Sequence, residues 1–319
     1  MKKNILYIVV PCYNEEEVLP ITSKKIKEKV DGLIKTNKIS KESKVVFVND
    51  GSKDKTWELI KELANKETIF TGISLSRNRG HQNALLAGLM CAKKNADIII
   101  SMDADLQDDI NAIDEMIEKY NKGAEIVYGV RNSRKKDTWF KRFTAESFYK
   151  FMKFMGVDIV FNHADYRLTS KMVLEELEKY GEVNLFLRGI FPLIGFKTDI
   201  VYYKRNERFA GESKYPLKKM LSFAFDGITS FSIKPIRFIM TSGIILLISS
   251  FISLIAFIIY ELTNLGHFSC GSIVSLFCLL FGFQIFSTGL IGEYVGKTYI
   301  ETKSRPRYVI EENLIEKLQ

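Results

Sequence analysis

Short apolar runs alternate with stretches of helical periodicity through the first 131 residues. Residues 5–10 (ILYIVV), 43–50 (SKVVFVND), 69–76 (IFTGISLS), 96–103 (ADIIISMD) and 124–131 (AEIVYGVR) read as strands. The segments between them, about 16–36, 54–66, 81–94 and 110–122, read as helices. Near-continuous apolar strands are those buried on both faces. Their alternation with helices predicts an α/β fold, a mainly parallel sheet with helices on both faces. Sheets of that kind bind ligands at the C-terminal ends of their strands.

The pattern changes near residue 236. Residues 238–260 and 268–292 carry no charged side chain over 23 and 25 positions. About 20 apolar residues cross a bilayer, so the expectation is a two-helix transmembrane hairpin. The connection ELTNLGH has no Lys or Arg, whereas Lys214, Lys218, Lys219, Lys234 and Arg237 precede the first run and Lys297, Lys303, Arg305 and Arg307 follow the second. Basic flanks stay on the cytoplasmic side. The expected organisation is a cytoplasmic domain (1–210), a juxtamembrane amphipathic segment (211–236), the hairpin (237–296) and a cytoplasmic tail (297–319).

Charge refines this picture. The 319-residue chain has a net charge of +8 and a pI near 9.1, which suits anionic lipid or phosphorylated substrates. A nucleic-acid partner fits the charge but not the acidic groups described next. The four cysteines, Cys12, Cys91, Cys270 and Cys278, form no CxxC pair and read as reduced packing residues.

Polar groups collect at the predicted strand ends: PCYNEEE, NDGSKD, SRNRGHQ, DADLQDD and RNSRKK. Each taken alone is compatible with an ordinary loop, and Ser52 and Asp54 with helix caps. Asp103 and Asp105, one residue apart, can reach the same side of a bent strand end. Two carboxylates together with diphosphate oxygens suit Mg²⁺ or Mn²⁺. No GxGxxG follows the first strand and no GxxxxGK[ST] occurs, which disfavours dinucleotide and P-loop chemistry. Asp50 is either a turn residue before Gly51 or an acceptor for a nucleobase or ribose.

VVPCYNEEEVLP, VNDGSKDKTWELI, SLSRNRGHQNALLAGL and MDADLQDD resemble, in order, the motifs of family 2 glycosyltransferases with the GT-A fold. ADYRLTSK, RFAGESKYPLKKMLSFAFDGITSFSIKPIR and GEYVGKTYIETKSRPRY narrow the likeness to polyprenyl-phosphate glycosyltransferases. These include dolichyl-phosphate mannose synthases and the bacterial GtrB-type undecaprenyl-phosphate glucosyltransferases. The resemblance implies an inverting membrane enzyme that transfers a sugar from a nucleotide-sugar, a UDP-sugar favoured, to polyprenyl phosphate for cell-envelope glycans. Its implied setting is the plasma membrane, with the catalytic domain and both termini cytoplasmic. Homo-oligomers, a tetramer among them, also follow from the resemblance, and nucleic acid has no part.

The family's roles carry over by resemblance. Pro11, Tyr13, Glu15 and Asp50 would line the nucleoside pocket. Asp103, Asp105 and Gln107 would hold the metal and the nucleotide-sugar. Arg131 and Arg142 would bind the lipid phosphate. Arg208, Ser213 and Lys214 would lie on a loop closing over the diphosphate. Asp165 either faces the acceptor as a catalytic acid or base, or forms a salt bridge with Arg167. The chain departs from the family's LQDPP or LQHPP by reading LQDDIN. Processive polysaccharide synthases carry a QxxRW motif, absent here because neither Trp57 nor Trp139 follows an Arg. Transfer to another lipid and a non-catalytic nucleotide-sugar-binding protein are the remaining alternatives.

Overall fold

A computed structural model describes residues 3–131, 163–183, 185–204, 232, 234–263 and 270–316, apart from some side chains within its two long helices. The strands and helices alternate as the pattern predicts: β1 (Leu6–Cys12), α1 (Leu19–Lys35), β2 (Lys44–Asn49), α2 (Thr56–Lys66), β3 (Phe70–Leu75), α3 (His81–Ala92), β4 (Ile98–Ser101), α4 (Ala112–Asn121) and β5 (Ile126–Arg131). There follow β6 (His163–Ser170), α5 (Lys171–Glu178), α6 (Leu187–Ile194), β7 (Thr198–Tyr203), the long helices α7 (Lys234–Thr263) and α8 (Cys270–Thr302), and β8 (Ile310–Asn313).

The sheet order is β7-β5-β6-β4-β1-β2-β3-β8. β1 pairs in parallel with β2 and β4, β2 with β3, and β5 with β7. β6 runs antiparallel to both β4 and β5, and β8 antiparallel to β3. The mainly parallel α/β sheet was legible; the two antiparallel insertions were not.

β1 is buried at every position, which its apolar run requires. Strand alternation divides it. Leu6, Ile8, Val10 and Cys12 join Leu19 and Ile26 of α1, Ile60 of α2 and Met116 of α4 in one core. Val9 faces the other way, onto α3. There Gly88 lets the helix backbone approach: a Cβ would sit 2.4 Å from Val9 Cγ1 and 2.6 Å from Val48 Cγ2. Helices thus cover both faces. Cys12 and Cys91 are free and buried.

The described residues fall into two compact units. The first holds the sheet, α1 to α6 and the segment from Arg305; the second holds α7 and α8. Two features depart from the expected tail at 297–319: α8 continues to Thr302, and β8 adds an edge strand to the sheet. In β8, Glu312 accepts a hydrogen bond from the Trp57 indole at 2.7 Å. Beside it Arg307 donates to the Tyr180 carbonyl at 2.7 Å. Among the described residues, no helix is long and apolar enough to cross a membrane. The structure therefore gives two long helices, of 30 and 33 residues, where the sequence suggested a transmembrane hairpin.

Candidate active site

The loops after β1, β2 and β3 are tied together. Asn14 takes a left-handed backbone (φ +54°), and its amide donates to Ser52 Oγ at 3.0 Å. The Glu15 amide donates to Thr56 Oγ1 at 2.9 Å, and the Glu16 amide to Asp54 Oδ2 at 3.1 Å. Ser52 and Asp54, which the sequence offered as caps, accept from the neighbouring loop; the N-cap of α2 is Lys55, with no side-chain cap bond. Pro11 is buried within β1, and Tyr13 just beyond it is exposed.

Asp50 is buried and accepts the backbone amides of Arg79 (2.7 Å) and Gly80 (3.0 Å). Burial pushes its carboxyl up, and these two bonds pull against the shift. Gly51 beside it has φ +62°, and a Cβ there would lie 2.5 Å from the Arg77 carbonyl carbon. The loops after β2 and β3 meet at this point, so Asp50 first serves to fix the N-terminal approach to α3.

After β4 the chain alternates like a strand. Met102, Ala104 and Leu106 are buried, whereas Asp103, Asp105 and Gln107 between them are half-buried. Leu106 has φ +55°, a costly conformation for a leucine. It produces a tight turn in which the Gln107 amide donates to Asp105 Oδ1 at 3.1 Å.

β6 brings Asp165 to this place. Its antiparallel register sets Arg167 opposite Ser101, and Ser101 Oγ donates to the Asp165 carbonyl at 2.6 Å. The Asp165 carboxylate receives Arg167 Nη2 (2.6 Å), Arg188 Nε (3.2 Å) and Nη2 (2.9 Å), and Gln82 Nε2 (3.4 Å). His81 Nε2 lies 3.6 Å from Asp103 and 3.7 Å from Asp165. Burial would raise this carboxyl, but Arg188, Arg167 and His81 hold it well below the usual carboxylate range. Arg167 is itself buried, stacked 4.4 Å over the Phe191 ring.

A second buried carboxylate sits at the end of β5. Asp108 accepts Tyr203 Oη at 2.5 Å and Arg131 Nη2 at 3.3 Å. Burial and nearby Asp103 push it up to about 6, against the pull of Arg131 and Tyr203. Its other oxygen finds no hydrogen-bond donor among the described residues. Tyr203→Phe removes the shorter of its two bonds and is expected to cost about 1–3 kcal/mol, read as a lower Tm. Turnover should fall with it, because Asp108 and Tyr203 jointly hold Arg131.

The family model for glycosyl transferase family 2 matches residues 7–178, from β1 to α5. The chain belongs to glycosyl transferase family 2. A Bacillus subtilis (strain 168) protein named uncharacterized glycosyltransferase YkoT is 53% identical, over 97% of this chain and 92% of the relative. The prophage bactoprenol glucosyl transferase homolog of Escherichia coli (strain K12) is 42% identical, over 95% and 97%. Bactoprenol glucosyl transferase of Shigella phage SfX is 40% identical, over 95% and 98%. A solved structure, mannosyltransferase PcManGT from Pyrobaculum calidifontis with GDP-Man and Mn²⁺, is 14% identical, with a TM-score of 0.43 and 94% and 87% of the chains covered.

In this family 2 glycosyltransferase His81 links Asp103 to Asp165, and Asp105 and Gln107 follow Asp103 in the same loop. Arg131 stands near it through Asp108. Arg142, Arg208, Ser213 and Lys214 lie outside the described residues. Sequence reasoning missed Gln82, Arg188, Asp108 and Tyr203 as site residues. Gln82 and His81 stood in the quoted SRNRGHQ rim. Arg188 had a signal too: it is the lone charge in the apolar run LFLRGIFPLIG. Among the described residues, no group of three or more His, Cys, Asp or Glu is placed to hold a metal. Asp103, Asp105 and Gln107 still fit a hard divalent cation. Their side chains carry oxygen donors, the kind such an ion takes.

Proposed function

We propose that this enzyme transfers a sugar from a nucleotide-sugar to polyprenyl phosphate at a membrane surface. Relatives named bactoprenol glucosyl transferase, matching nearly end to end, carry this reading. Their names specify a glucosyl group, and the donor would be a UDP-sugar. Asp103, Asp105 and Gln107 would hold Mg²⁺ or Mn²⁺, an ion that supplies Lewis acidity to the departing diphosphate. Tyr13 and Glu15 would border the nucleoside, Pro11 would shape the strand end beneath it, and Asp50 would hold the adjoining loop.

The reaction is an inverting single displacement. A lipid phosphate oxygen attacks the anomeric carbon as the bond to the nucleotide diphosphate breaks, and the diphosphate leaves with that electron pair. A phosphate monoester is ionised near neutral pH, so no proton has to be removed. Catalysis then comes from positioning and electrostatics. Arg131, aimed by Asp108 and Tyr203, would receive the acceptor phosphate, and Arg142 would share it. Arg208, Ser213 and Lys214 would close over the diphosphate.

The membrane reading rests on the two charge-free runs and their basic flanks. The hairpin would anchor the enzyme in the membrane, with the flanks cytoplasmic and copies associating through it. Purified protein in detergent, given undecaprenyl phosphate, Mg²⁺ or Mn²⁺ and a panel of nucleotide-sugars, should yield one glycolipid by mass spectrometry. Nucleotide-sugar consumption without glycosylated polyprenyl phosphate would overturn the acceptor assignment.

A further inference from the structure

A carboxylate offers about four lone-pair directions. At Asp165 four donors take them: Arg167 Nη2 and Arg188 Nε on Oδ1, Arg188 Nη2 and Gln82 Nε2 on Oδ2. The group is only 6% exposed. A general base must come within hydrogen-bond reach of the group it serves. Nothing of Asp165 is left to make that approach.

The two guanidiniums that hold it differ. Arg167 is 1% exposed on its side chain and packs on Phe191 beneath the sheet end. Arg188 is 29% exposed and binds both oxygens, in the fork geometry that only arginine has. It is the second residue of α6. The first residue, Leu187, donates its amide to Gln82 Oε1 at 3.1 Å. Gln82 therefore joins the start of α6 to the start of α3, and His81 beside it lies against Asp103.

We propose that Arg188 is a positioning residue of the transfer reaction. It grips Asp165 through both oxygens, closes that carboxylate to the acceptor, and through it holds Gln82, beside which His81 lies against Asp103. Asp165 is then the anchor of the site rather than its base. This rests on the transfer reaction proposed above.

The test is a double-mutant cycle with Arg188→Gln, Asp165→Asn and their combination, and with Arg188→Lys as the conservative variant. Nucleoside diphosphate release with a bacterial lipid extract reads turnover whatever the acceptor, and mass spectrometry of the lipid identifies the acceptor. Arg188→Gln should lower kcat on the order of 10²-fold and leave the nucleotide-sugar KM within about threefold. Arg188→Lys should recover less than about a tenth of the activity, because an ammonium cannot bind both oxygens in a fork. The double variant should be no slower than the slower single variant, since both changes break one unit. Melting temperatures are read first, and Arg188→Lys, which keeps the cation, carries the comparison if Arg188→Gln does not fold.

Additive losses, or wild-type kcat in Arg188→Gln, would overturn the assignment. So would an acid limb in the wild-type pH–rate profile that Asp165→Asn removes. Diphosphate release without glycosylated polyprenyl phosphate sinks the acceptor reading alone and leaves the cycle interpretable.

Discussion

Asp165→Ala is expected to destabilise the catalytic domain by about 3–5 kcal/mol, because it leaves a buried cation uncompensated. That cation is Arg167, whose Nε and Nη1 have no hydrogen-bond partner among the described residues and whose one ion pair there is Asp165. Asp165→Asn keeps the volume and an acceptor oxygen and should cost less. Thermal unfolding of the three proteins checks the order. Burial raises the Asp165 pKa, but Arg188, Arg167 and His81 outweigh it, so the folded value lies below the unfolded one. The stabilisation is then fully present above the unfolded value of about 4 and is lost only as pH falls through the folded value. The Tm gap between wild type and Asp165→Ala should hold constant from pH 8 to about 5 and narrow only in stronger acid. A gap that closes between pH 7 and 5 would contradict the network described here. It follows that lost turnover in an alanine variant says nothing about a base, since the site around it has lost its anchor.

Asp105→Ala should do the reverse: lose activity and keep the fold. Its carboxylate is half-buried and accepts the Gln107 amide two residues on. Losing a hydrogen bond of that kind costs about 1 kcal/mol. Losing a ligand for the ion that offsets diphosphate charge should lower kcat on the order of 10³-fold. Nucleoside diphosphate release measures the first effect, and calorimetric titration of Mn²⁺ with nucleotide measures its cause. Undiminished turnover would move the metal elsewhere.

The parallel half of the sheet was legible because strands buried on both faces need a near-continuous apolar centre, and the runs at 5–10, 43–50, 69–76, 96–103 and 124–131 each have one. β6 was not legible, since HADYRLTS carries its polar groups on purpose. Asp165 and Arg167 are buried as a pair, and neither looks like core when read alone. β8 was hidden for a different reason. IEEN is acidic and short, and only its pairing with β3 and the Trp57–Glu312 bond make it a strand. At the site, Asp103 and Asp105 were visible because two acids after an apolar strand are chemically odd. Arg188 and Tyr203 were harder to see, because their meaning comes from Asp165 and Asp108, 23 and 95 positions away.

β8 also bears on how the protein is made. An open edge such as that of β3 is a template for pairing with another chain. β8 is encoded after both long apolar helices, so during synthesis the edge stays open until they have left the ribosome. The catalytic sheet is thus completed only in molecules whose apolar helices have already been made. A nascent chain arrested before residue 310 would carry the loop of Asp103 and Asp105 on an unfinished sheet, a form suited to recognition by chaperones and proteases.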